Sequence, residues 1–204
     1  ATIIGDALAN IFEFLGYKAV RWNYLGDWGT QFGKIITAYK LWGRREEVRK
    51  IPIESLQKLY VLFHEKTKSD PALEDRAREE FKKLEEGNAE NRKLWQWFKT
   101  ESLKEFNRIY RAFGVSFDTY IGESFYEAKM KPLVERLLRS GIAKRSEGSV
   151  IIPLDEFNLP PALIQKSDGA SLYLTRDIAN LEYRISKYKA ERIVYVVVNE
   201  QKLN

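Results

Sequence analysis

The sequence has no cysteine, one histidine and one methionine. Without cysteine there is neither a disulfide framework nor a thiolate-held zinc, and His64 alone cannot build a His-rich metal site. No apolar run approaches the ~20 residues that a membrane-spanning helix needs, and no charged segment followed by an apolar core opens the chain as a secretion signal would. These absences predict a cytoplasmic protein without a membrane partner. Repeats and low-complexity stretches are also missing. An initiating Met is absent as well: Ala1 leads at once into a helical stripe of Ile3, Ile4, Ala7, Leu8, Ile11, Phe12 and Leu15, which predicts an excised piece of a longer chain.

What is present is ample for a folded core. Of 204 residues, 44% are hydrophobic and 31% charged, enough for one good core and a second small domain. The 34 bases exceed the 29 acids, giving a net charge of +5, a modest bias that permits an RNA partner without requiring one.

The first helix is expected to stop at Gly16. Lys18 to Leu25 then alternates, with Val20, Trp22 and Tyr24 on one face, and predicts a strand. The loop Gly26-Asp27-Trp28-Gly29 leads into a helix carrying Phe32, Ile35, Ile36, Tyr39 and Trp42. Helix, strand, glycine loop and helix are the grammar of an α/β layer. Such a loop lies where open α/β sheets place ligands, although an ordinary turn has the same composition. From Arg44 to Gly141 the pattern is helical without strands, which predicts an insertion. Helices are expected over Glu54 to Lys66, from Asp70-Pro71 to Gly87, from the cap Asn88 to Gly114, and over Glu127 to Ser140. The third of these carries Leu94, Trp97, Phe98, Phe106, Ile109, Tyr110 and Phe113, the expected core of the insertion. A hairpin is predicted around Glu147-Gly148, and Pro153 to Lys166 reads as an extended loop. The apolar run Arg192 to Val198 predicts a strand buried on both faces.

The most informative stretch is Asp168 to Ala179, DGASLYLTRDIA. Ser171 is expected to open a helix on which Tyr173 and Asp177, four residues apart, share one face. A carboxylate beside a phenol suits a flat cation, since the carboxylate can accept a guanidinium at two points while the ring stacks on it. An exposed acid beside a half-buried tyrosine is the plainer alternative. Gln201, beyond the last strand, can face the same pocket.

Three separated segments, TIIGDALANIFEFLGY, NYLGDWGTQFGK and KSDGASLYLTRDIA followed by NEQKL, resemble the arginyl-tRNA synthetase family of class I aminoacyl-tRNA synthetases over essentially the whole chain. The resemblance implies a Rossmann-like α/β parallel-sheet catalytic domain over residues 1–43 and 153–204, interrupted by a mainly helical connective insertion over 44–152. It implies activation of L-arginine with ATP and Mg²⁺ as substrate, then transfer to tRNA(Arg), with no protein-bound metal. It gives Tyr173, Asp177 and Gln201 as the L-arginine contacts and Gly26, Asp27, Trp28 and Gly29 as a possible active-site loop. Neither the H-x-G-H nor the KMSKS-type signature occurs, so no catalytic residue is expected and the chain alone is expected to be inactive. Val198 and Asn204 depart from the residues common in the family. A non-catalytic RNA-binding module and another Rossmann-like nucleotidyl-transferring enzyme are the alternatives; oligomeric state is left undetermined.

Overall fold

Helical periodicity and end signals are realised from the first residues. In the computed structural model, which describes residues 1–167, 169 and 172–197, helix α1 spans Thr2–Phe14. Gly16 ends it at φ +88°, a conformation that only glycine adopts without strain, and Tyr17 N–H closes the end on Phe12 O at 3.0 Å. The chain divides into two units, residues 1–25 with 119–204 and residues 26–118.

In the first unit, α7 (Glu127–Arg139) and α8 (Tyr173–Tyr188) accompany a three-stranded antiparallel sheet of β1 (Lys144–Ser146), β2 (Ser149–Ile152) and β3 (Ala162–Gln165), in the order β1-β2-β3. The predicted hairpin forms, with Glu147 and Gly148 both at positive φ, as a two-residue turn that matches strand twist requires. β3 corrects the reading of Pro153 to Lys166 as loop: after Pro160-Pro161 the chain pairs with β2. Tyr126, Leu133, Val134, Leu137, Ala143, Val150, Ile164 and Ala179 form the core, and the Thr175 hydroxyl on α8 donates to the backbone of Ile164 on β3.

The strands expected over Lys18 to Leu25 and Arg192 to Val198 are not found as strands among the described residues. The first is extended but makes a single parallel bridge, Trp22 with Thr119, and residues 192–197 are in no ladder. Alternation prepares a segment for a sheet, but a strand exists only where a neighbour completes the hydrogen bonds. Val198 and residues 199–204 lie outside the described residues, as do Asp168, Ala170 and the expected helix-opening Ser171; α8 begins at Tyr173 after an N-cap at Leu172.

The second unit contains α2 (Thr30–Trp42), α3 (Arg45–Lys50), α4 (Pro52–Thr67), α5 (Ala72–Glu85) and α6 (Ala89–Ala112). Trp28, Ile36, Val48, Leu59, Phe63, Leu84 and Phe98 are in its core. Gly33 sets the approach of α2 to α5, because a Cβ there would lie 2.1 Å from Ala77 O and 2.8 Å from Phe81 Cβ. Asn88 caps α6 as predicted, accepting from the N–H groups of Glu90 and Asn91. Along the apolar face of α6 Phe98 is buried and Phe106 and Tyr110 are half-buried, Tyr110 edge-on to Phe117, whereas Ile109 and, just past the helix, Phe113 are exposed. The buried Asn91 amide donates to Glu80 Oε2 at 2.8 Å and its oxygen accepts from Lys40 at 2.8 Å, tying α2, α5 and α6 together. Burial opposes charge on Glu80, but hydrogen bonds from Lys40, Lys83 and Asn91 outweigh it and hold the carboxyl down at about 2.

The compact units are set by packing: α2 packs through Gly33 and Ile36 with the helices that follow it, and α7 with the hairpin shares one core with α8 through Leu133, Val134, Leu137, Val150 and Ala179.

Candidate functional site

α8 places Tyr173 and Asp177 one turn apart, near its N-terminal end, as the spacing predicts. Tyr173 is 40% exposed and Asp177 half-buried. Among the described residues Asp177 makes no salt bridge, although arginines stand on either side of it in sequence and space. Arg176 is turned to Glu127 at 3.3 Å and Glu123 at 3.9 Å. Arg184 stacks on aromatic rings, 4.7 Å from the centroid of Trp22, 5.3 Å from Tyr195 and 5.8 Å from Tyr24. Burial therefore prevails and pushes the Asp177 carboxyl up to about 6, with Arg184 and Arg176 only partly offsetting it. Burial, then the charges of Asp177 and Glu123, also raise Tyr173, which keeps the phenol neutral.

Three further groups join this site without having been singled out for it in the sequence. Tyr24 is brought in by the extended segment, and its hydroxyl is buried with no hydrogen-bond partner among the described residues. Glu123 starts the 3-10 turn Glu123–Tyr126, fixed by its N–H donating to Leu25 O at 3.0 Å. Tyr24 was visible as one of the alternating positions with Trp22; Glu123 had no periodic signal. Arg184 sits seven residues after Asp177, two helical turns on, a spacing that could have found it.

Gln201 lies outside the described residues. The loop Gly26, Asp27, Trp28, Gly29 takes part in the packing of the helical unit. Asp27 is 4% exposed and its carboxylate pairs with Lys99. Trp28 is buried against Phe81 and Trp95, whose ring N–H donates to Asp27 O at 2.7 Å. Gly29, at φ +125°, leads into α2. No group of acidic or histidine side chains among the described residues could hold a metal, and no helix there is long and apolar enough to cross a membrane.

The arrangement is a half-buried carboxylate beside a phenol, with Arg176 turned to Glu123 and Glu127 and Arg184 stacked on aromatic rings: the charge and the flat face that a planar cation would need. The family model of class I tRNA synthetases (R), catalytic domain, matches residues 1–204. This chain belongs to the arginyl-tRNA synthetase family. Its fold class is accordingly the Rossmann-like α/β class of that catalytic domain. An arginine–tRNA ligase of Enterococcus faecalis is 53% identical over 201 residues, 98% of this chain and 36% of that protein. Its counterpart in Clostridioides difficile is 49% identical over 203 residues, 100% of this chain and again 36% of that protein. The chain thus spans about a third of the length of these relatives. The crystal structure of the arginyl-tRNA synthetase of Plasmodium falciparum superposes with a TM-score of 0.80 at 29% identity, covering 98% of this chain and 34% of that one.

Proposed function

We propose that this chain supplies the arginine-binding wall of an enzyme that activates L-arginine with ATP and transfers it to tRNA(Arg). The observation that carries this is Asp177, a half-buried carboxylate without an ion-pair partner among the described residues, one helical turn from Tyr173. A guanidinium docked there gives the carboxylate a two-point, charge-assisted partner and lays its flat face beside the phenol. Gln201 then steadies the amino-acid end of the substrate, and Gly26 to Gly29 form a loop bordering the active site. Residues 44–152 correspond to the connective insertion and the flanking residues to the catalytic domain.

In the reaction the substrate carboxylate attacks the α-phosphate of ATP, bound with Mg²⁺, and pyrophosphate leaves; the arginyl group then passes to the tRNA. The side chains of this site orient arginine so that its carboxylate meets the phosphate, a contribution of alignment rather than of proton transfer. The reaction belongs to the cytoplasm and needs no membrane.

A second reading, RNA binding by the helical unit, is favoured by one feature of α6: a recess of about 490 Å³ lined by Arg92, Lys93, Trp95, Gln96, Trp97 and Thr100. Basic and aromatic groups together suit a polyanion with stacking bases. The test of the first reading is tRNA-dependent ATP–pyrophosphate exchange by the full-length protein. Exchange stimulated by arginine and not by lysine supports it. Salt-sensitive tRNA binding without arginine-stimulated exchange supports the second and sinks the first.

A further inference from the structure

Tyr24 carries a hydroxyl that is buried with no hydrogen-bond partner among the described residues, and of the unpartnered buried polar atoms at the α8 site, which include Nε of Arg176 and of Arg184, it is the one that can accept. Its ring is firmly held. The Tyr126 ring lies 6.3 Å away centroid to centroid, and the Tyr126 hydroxyl donates to Asn180 Oδ1 on α8 at 3.1 Å. On the backbone, Asn23 N–H donates to Thr119 O at 2.9 Å and Glu123 N–H to Leu25 O at 3.0 Å, so both neighbours of Tyr24 are pinned. The hydroxyl is therefore fixed rather than able to swing out to water. A buried hydroxyl without a partner is unfavourable, and in a cluster held this well it marks a place where a polar group arrives from outside.

The chemistry of that group follows from the surroundings. Burial first, and then the carboxylates of Glu123 and Asp177, hold the Tyr24 phenol far above the usual tyrosine range, so it presents a neutral oxygen with lone pairs to accept a donor. A guanidinium carries five N–H donors in one plane, of which a carboxylate takes two. An ammonium carries three N–H donors on a single nitrogen, so it cannot span a carboxylate at two points and at the same time place a further donor, in the same plane, on an oxygen held to one side.

We infer that Tyr24 is a specificity-determining residue of the arginine site, its hydroxyl oxygen accepting a guanidinium N–H that Asp177 leaves over. This rests on the proposed arginine site. The hydroxyl then rewards the flat fork of arginine and gives lysine nothing comparable.

Tyr24→Phe in the full-length protein keeps the ring and removes only the oxygen. In tRNA-dependent pyrophosphate exchange the arginine KM rises roughly ten-fold, while kcat and the KM for ATP stay unchanged. The arginine-free variant melts no lower than the wild type, because the deleted hydroxyl had no partner to lose. An unchanged arginine KM overturns the role of Tyr24 and leaves the arginine site standing, provided that wild type responds to arginine. A lower melting temperature assigns the hydroxyl to the fold and overturns the role too. Absence of arginine stimulation in the wild type removes the arginine site itself, and the role of Tyr24 with it.

Discussion

Asp177 titrates in a way that links its environment to binding. In the folded protein its carboxyl is raised from 3.8 to about 6, chiefly by burial. The folded state thus holds this proton more tightly than the unfolded state. Its contribution to stability is most favourable below 3.8 and falls as pH rises from there through about 6. In the proposed site arginine would have the opposite requirement, since a guanidinium pairs with the ionised carboxylate. Arginine affinity should accordingly weaken below about pH 6, approaching about ten-fold per pH unit, because a proton must first be removed. Calorimetric titration of the full-length protein with arginine across this range checks it; affinity independent of pH would detach Asp177 from the guanidinium. The pair Tyr173 and Asp177 was legible in the sequence because helical spacing alone puts residues four apart on one face. Tyr24 and Glu123 were not, since the contact that unites them, Glu123 N–H to Leu25 O, joins residues almost a hundred positions apart and leaves no local pattern.

Among the elements, α2 and α5 depend on a missing side chain. Gly33→Ala would force its Cβ onto the Ala77 carbonyl, 2.1 Å away, and that backbone cannot yield as a side-chain tip could. Destabilisation of about 1–3 kcal/mol is expected from such overpacking, read as a lower urea midpoint for the helical unit. A midpoint equal to the wild type would show that the helices separate without loss. Helices as a class were legible, because caps such as Asn88 and Gly16 and the apolar stripes are local signals. Burial was not: α1 is a helix with the expected stripe, yet Ile3, Ile4, Ile11 and Leu15 are exposed and no residue of α1 is buried. β3 was hidden behind Pro160-Pro161, which argues for a loop until the register with β2 is known.

At the scale of the molecule, two cores divide the chain after residues 25 and 118, the first at Gly26, whose loop reads equally well as a turn inside one layer, and the second beside neither glycine nor proline. An apolar stripe does not say in which core a helix will pack, and α2 reads equally well as part of an α/β layer. Family membership came instead from long motifs, and it extends over the whole chain while the chain spans 36% of its bacterial relatives. The central claim is that the wall formed by α8 holds the guanidinium of arginine. The most direct test is the arginine KM of Asp177→Asn in the full-length protein, measured by tRNA-dependent pyrophosphate exchange. Loss of a charge-assisted pair of about 1.5–3 kcal/mol predicts a KM roughly ten- to a hundred-fold higher, with the KM for ATP unchanged. An arginine KM equal to that of the wild type would contradict it.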